Sequence, residues 1–326
     1  MPPHPVPSGG SEPVSRFLSG FAAPTYPFVR GWARASLISN IAIVLTGVAV
    51  RLTASGLGCP TWPRCTDSSF VPHSALGVHG VIEFGNRLLT YVLVAVALAT
   101  WFAVRRWTTP GDHRRRLATC LALGIPAQAL IGGITVLTDL NPWIVALHLL
   151  LSMALIAVST VLLARIDAPS VSAIPVATRR LVLATYAAVW AVLYVGTVVT
   201  GSGPHAGDLG SPRNGLDPQV LSHVHATLVY LLVTLTVASV VVLRRQRPRS
   251  RAVALAQALL VVELAQGAIG FVQYATDVPI VLVWFHLLGA SVLVAVATWF
   301  VVATRTADSA PPSSPRLGTK LRVTRP

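Results

Sequence analysis

In the stretch HGVIEFGNR, residues 79–87, His79, Glu83, Asn86 and Arg87 interrupt an apolar run. The spacing of four and three residues puts His79, Glu83 and Asn86 along one face of a helix, and Arg87 follows Glu83 at i+4. Three kinds of chemistry suit such a set. His79 could ligate a metal, Glu83 could handle a proton or orient water, and Arg87 could bind an anionic group of a ligand. A simple intrahelical Glu83–Arg87 ion pair would use the same spacing. His148, His223, His225 and His286 also fall near one end of an apolar run. Hydrocarbon solvates these groups poorly, so a polar residue at such a depth faces a partner or a functional cavity.

The elements that must position these residues are helices. Of 326 residues, 53% are hydrophobic and 11% charged, a balance that leaves too little polar surface for a soluble domain. Eight apolar runs cover about 35–52, 80–103, 117–137, 143–164, 181–200, 220–243, 252–272 and 280–303. Most reach the roughly 20 residues that a helix needs to cross a bilayer. The expected fold is an all-α membrane protein with eight transmembrane helices.

The net charge of +14 has a topological reading. Lys and Arg collect in alternate gaps: before helix 1, between helices 2 and 3, 4 and 5, 6 and 7, and after helix 8. These places hold 21 of the 25. The positive-inside rule then puts both termini in the cytoplasm of a multi-pass protein of the cell membrane. A nucleic-acid footprint is not needed to explain the basicity. The reading divides the chain into a disordered cytoplasmic tail over 1–34, a four-helix half over 35–164, and a cytoplasmic linker over 165–180. A second four-helix half over 181–303 and a disordered cytoplasmic tail over 304–326 complete it.

The halves resemble each other. QALIGGITVLTDLNPWIVALHLL, from Gln128, aligns without a gap on QGAIGFVQYATDVPIVLVWFHLL, from Gln266. The alignment pairs Gly132 with Gly270, Thr138-Asp139 with Thr276-Asp277, and His148 with His286. TASG at 53–56 likewise matches TGSG at 200–203. Two four-helix bundles related by duplication are expected, and an even helix count per half makes the repeat parallel. In helix 2, Asn86 falls opposite His225. Glu83 has no carboxylate counterpart in helix 6, so the halves differ chemically. One half would react while the other holds a cofactor.

Matching histidines narrow the metal options. Zinc wants three or four converging ligands. One or two histidines per half suit haem iron better, with imidazoles from two facing helices as axial ligands. Gly132, Gly133, Gly267 and Gly270 would either admit a flat macrocycle or serve ordinary helix packing. Cys59 and Cys65, in the outer loop GLGCPTWPRC, lie where disulfides persist and are expected to pair. Cys120 is expected to be a small core residue. His4, His73, His113 and His205 are expected on solvated surface, and His223 and Glu263 in interhelical hydrogen bonds.

These features together resemble the haem A synthases. They are eight helices in two repeats, the cysteine pair in GLGCPTWPRC, Glu83-Phe84-Gly85-Asn86-Arg87 resembling EFxxR, QxLxGGxTVLT before His148, and single histidines on helices 6 and 8. The similarity spans roughly residues 35 to 303. It implies oxidation of the C8 methyl of haem O to a formyl group by successive hydroxylations, giving haem A for cytochrome oxidase. In that reading His225 and His286 ligate a resident haem b in the second half. The first half binds haem O, with His148 on its iron, Glu83 as the catalytic group beside the reacting carbon, and Arg87 near a propionate. The implied partners are haem O, membrane lipid, an electron acceptor, haem O synthase, cytochrome oxidase assembly factors and a second copy of the chain. Many members have histidine where this chain has Asn86. His79 could substitute, Asn86 could hold a water, or the iron could rest on His148 alone. Some members also carry a second cysteine pair in the loop between helices 5 and 6, and GSGPHAGDLGSPRNGLDPQ has none. The alternative reading is a two-haem membrane cytochrome b that transfers electrons without modifying haem.

Overall fold

Eight helices of 23 to 31 residues form the computed structural model, which describes residues 19–168, 171–247 and 249–306. They are α1 Tyr26–Leu52, α2 Gly77–Trp107, α3 His113–Leu137, α4 Pro142–Asp167, α5 Val176–Ser202, α6 Pro218–Gln246, α7 Arg251–Ala275 and α8 Ile280–Val302. At about 1.5 Å per residue even the shortest covers a bilayer core of about 30 Å. All eight are long and apolar enough to cross a membrane.

The helix starts follow local rules. Asn141 and Asp217 each precede a proline, and their side chains accept backbone N–H bonds from Trp143 and from Gln219 and Val220. Proline costs nothing at the first helical position, where its missing N–H would have no partner anyway. Asp112 caps α3 in the same way, accepting from the Arg114 N–H at 2.8 Å. The Arg114 guanidinium bonded to it holds the Asp112 carboxyl down to about 2, so this cap stays charged throughout the physiological range.

Three expected boundaries move. Helix α1 begins at Tyr26, so residues 26–34 are helix rather than tail. Charged residues end an apolar run without ending a helix. Arg30 is held by Asp167 at the end of α4, Nε to Oδ1 2.5 Å. Similarly, Arg179 lies inside α5 and donates to the Val301 carbonyl at 2.8 Å. A short strand β1, Ser172–Ile174, occupies the linker and pairs in parallel with β2, Thr304–Thr306. Residues 304–306 therefore belong to the fold. The expectation of disorder for 1–18 and 307–326 lies outside the described residues.

Each set of four helices closes on itself. In the first, α1 packs on α2 and α4, and α3 on the same two; in the second, α5 packs on α6 and α8, and α7 on the same two. Between the sets α4 meets α8, α4 meets α5, and α8 meets α1. Fully buried Met153, Ile156, Val182, Leu232, Leu259 and Phe300 fill the core. The turns after α3 and α7 share a conformation. Asp139 and Leu140 have φ of 52° and 58°, and Asp277 and Val278 have 56° and 58°. Left-handed backbone costs a non-glycine residue roughly 1–2 kcal/mol, so consecutive pairs at both turns reflect one tightly specified geometry. Cys120 departs from expectation, being exposed on the outside of α3. The buried face of that helix runs through Ala118, Leu121 and Ile125, and Cys120 points about 100° away from its neighbour Leu121.

Candidate functional site

Even-numbered helices all begin on the side that carries the 53–73 loop. His148 and His286 lie six residues beyond the first residue of α4 and α8, and His225 seven beyond that of α6. All three therefore stand about 9–10 Å along their helices. Asn86 lies nine residues into α2 and His79 only two, so at about 13–14 Å against about 3 Å along the helix Asn86 comes nearer the level of the histidines. His79 is exposed at the helix end, with Nδ1 2.9 Å from Ser55 Oγ. The Asn86 Oδ1 accepts from Thr46 Oγ1 of α1 at 2.8 Å.

Each of the three deeper imidazoles rests on a glycine of a neighbouring helix. A Cβ on Gly196 would stand 3.1 Å from His225 Cε1, on Gly132 3.3 Å from His148 Cε1, and on Gly270 3.9 Å from His286 Cε1. Gly267, by contrast, faces nothing within 4 Å. The Nδ1 atoms of His148, His225 and His286 are buried without a hydrogen-bond partner among the described residues. His225 and His286 stand at similar depth on α6 and α8 of the same four-helix set. Among the described residues no three His, Cys, Asp or Glu side chains converge. Paired imidazoles on glycine-lined walls fit an iron macrocycle ligated from two sides. Gly196 carried no motif in the sequence, and its only signal is the small Ala49 at the matching place in α1.

The first half carries a further structure. Cys59 and Cys65 form a disulfide, both fully buried. The loop lies directly on the start of α2. A Cβ on Gly58 would collide with the His79 carbonyl and stand 2.9 Å from the Gly80 nitrogen. That close approach brings the Cys59 N–H to Glu83 Oε2 at 2.6 Å. Glu83 is 5% exposed, and its Oε1 accepts from Arg87 Nε at 3.1 Å and from Nη2. Arg87 also donates through Nη1 to the carbonyls of Thr61 and Arg64, 3.0 and 3.1 Å, and through Nη2 to that of Cys59, 2.9 Å. A guanidinium has five N–H groups, and all five are engaged. This arrangement leaves Arg87 no donor for a propionate. Gly58→Ala is expected to cost about 1–3 kcal/mol, since the obstacle is backbone that cannot rotate aside; a lowered thermal midpoint would register it.

Residues 30–207, more than half of the chain, match the family model COX15-CtaA, described as cytochrome oxidase assembly protein. The chain belongs to this family. The match ends in the loop after α5, so His225 and His286 lie beyond it. Relatives include a heme A synthase of Geobacillus thermodenitrificans, 31% identical over 128 residues, 39% of each chain. Another is a heme A synthase of Lysinibacillus sphaericus, 35% identical over 141 residues, 42% of this chain and 43% of the relative. A third, from Shewanella oneidensis, is 29% identical over 147 residues, 40% of this chain and 44% of the relative. The chain thus spans about two fifths of the length of the curated relatives it matches. Its eight apolar helices make this COX15-CtaA protein a multi-pass membrane protein.

In the COX15-CtaA chain the loops of the two halves are also tied together. Arg51 donates through Nε to the His205 carbonyl at 2.6 Å and through Nη2 to that of Thr200 at 3.0 Å. The Gly56 N–H reaches the Gly207 carbonyl at 2.8 Å. His205 is not solvated surface as expected: its Nε2 lies 3.0 Å from the Val278 carbonyl. His223 is exposed and meets the Tyr274 ring edge-on at 5.9 Å, a ring contact where a hydrogen bond was expected. Glu263, 2% exposed, accepts from Thr236 Oγ1 of α6 at 2.8 Å, the interhelical bond that its position suggested.

Proposed function

We propose that this protein oxidises the C8 methyl of haem O to a formyl group, yielding haem A for cytochrome oxidase. In each of two rounds the methyl carbon gains the oxygen of a water and gives up two protons and two electrons, the electrons passing to an external acceptor. The alcohol formed first becomes a hydrate, which loses water to give the aldehyde. The observation that carries the reading is the inequality of the halves. Three imidazoles stand on glycines at matched depth, but only the first half closes a disulfide loop over its helix ends with a buried carboxylate. A cytochrome that merely passed electrons would have no use for that difference.

In this reading the first half takes haem O, with His148 as iron ligand and Asn86 across from it. Glu83 acts beside the reacting methyl. Its Oε1 is filled by two guanidinium N–H groups, whereas Oε2 accepts one N–H and keeps a lone pair. Oε2 is thus the atom at which Glu83 orients a water or takes up a proton. The carboxylate, 5% exposed, also stabilises positive charge developing on the substrate, and does so strongly where bulk water is kept out. His225 and His286 hold haem b in the second half, and haem b when bound supplies one-electron transfer. The matched turns at 139–140 and 277–278 support a parallel duplication, and the alternating basic gaps support cytoplasmic termini.

Two experiments address this. In a host that makes haem O but lacks its own converting enzyme, the protein should restore a haem A-dependent oxidase. A membrane-inserted, haem b-loaded protein that leaves the oxidase without haem A would favour the electron-transfer reading. Asn86→His should add a second imidazole closer to the level of His148 than His79 is, and shift bound haem O toward a low-spin spectrum. If His79→Ala rather than Asn86→His changed the ligation spectrum, the assignment of depth would be wrong.

A further inference from the structure

The first outer loop is built around a residue with no role so far, Trp62. Its indole lies on Gly133 of α3, where a Cβ would stand 2.5 Å from Cε2 and 2.7 Å from Cγ. The preceding residue, Gly132, is the one that faces His148, 3.6 Å from Nε2 to a Cβ placed there. Consecutive residues of a helix point about 100° apart, so the indole and the imidazole approach α3 from adjoining sides within one helical turn. The loop is fastened on both sides of the indole. Arg87 binds the carbonyls of Thr61 and Arg64, which bracket it, and the Cys59–Cys65 bridge closes the same segment.

We propose that Trp62 orients the substrate macrocycle at His148. This rests on the haem O reading and extends it to the choice of methyl group. A porphyrin carries methyl groups at several similar edge positions. Ligation by one imidazole leaves rotation about the iron–nitrogen axis undefined, so selecting one methyl for Glu83 needs a rigid contact off that axis. The indole supplies it by packing against the macrocycle and fixing its rotation in plane. The disulfide and the Arg87 clamp keep the indole from yielding. Glu83, which is part of the same fastening through Cys59, is thereby held in register with the contact that sets the rotation.

The test compares wild type, Trp62→Ala, Trp62→Phe and Gly133→Ala, each purified from a host producing haem O. Gly133→Ala puts a methyl group against the indole from the α3 side and leaves every loop residue in place. Two quantities are read: haem O plus haem A per haem b, and the position of the oxidised methyl by NMR of the extracted porphyrin. Trp62→Ala and Gly133→Ala should lower the first roughly tenfold, the loss of one well-packed aromatic contact. The product that remains should be oxidised at more than one methyl, and Trp62→Phe should largely restore both quantities. Unchanged occupancy and a single product in Trp62→Ala or Gly133→Ala would overturn the proposal. So would lowered occupancy with oxidation still confined to one methyl, which would leave Trp62 a merely structural part. A wild type that carries haem b yet makes no haem A would instead overturn the haem O reading, and the proposal with it.

Discussion

Glu83→Ala is expected to abolish conversion of haem O while the haem b spectrum of the second half persists. Glu83 joins two parts that the sequence keeps 24 residues apart, the Cys59 N–H and the α2 helix. In the proposed reaction its removal takes away a charge beside the reacting carbon, and it releases the loop at once. The loss of a preorganised electrostatic group costs on the order of 10²–10³ in rate, and the freed loop adds to it. Glu83→Gln should separate the contributions, because it keeps the shape and one acceptor oxygen but not the charge. A disulfide reduced faster by an added thiol in Glu83→Ala than in Glu83→Gln would report the loop, and the extracted haems would report the chemistry. Wild-type haem A from Glu83→Ala would remove Glu83 from the reaction.

His225→Ala and His286→Ala should each eliminate the low-spin haem b signal, and the double variant should look like either single one. Two ligands to one iron act as a unit, so their effects do not add. The first half should remain folded, since its helices close on themselves through α1–α4 contacts. Conversion should fall with the loss of the electron carrier, although Glu83 and its loop are untouched. The check is an absorbance spectrum of each purified variant beside its haem O content. A low-spin haem b surviving in either variant would show that the pair at α6 and α8 does not ligate it.

The helices were legible because length and apolarity are what a membrane demands, and both are written along the chain. The histidine levels were legible for a related reason, since a polar residue in an apolar run stands out. Faces were not legible. A helix that is apolar all round carries little record of which side meets its neighbours, and Cys120 was misplaced for that reason. The start of α1 was hidden because Arg30 looks like a flank until Asp167 is seen beside it. Backbone carbonyls have no sequence signature either. Arg87 therefore read as a partner for Glu83 or for an anionic group of a ligand, when the folded loop also surrounds it with acceptors from Cys59, Thr61 and Arg64. His205 was misread for the same reason, its partner being the Val278 carbonyl. Gly196 stayed invisible because a glycine opposite a histidine is a tertiary fact.

In the proposed division of labour the first half performs an oxidation and the second half serves it. Chromatography with mass analysis of haems extracted from the wild-type protein, produced in a host that makes haem O and no haem A, tests this most directly. Haem b together with haem A and its alcohol precursor is the expected result. Haem b accompanied only by unaltered haem O would contradict it.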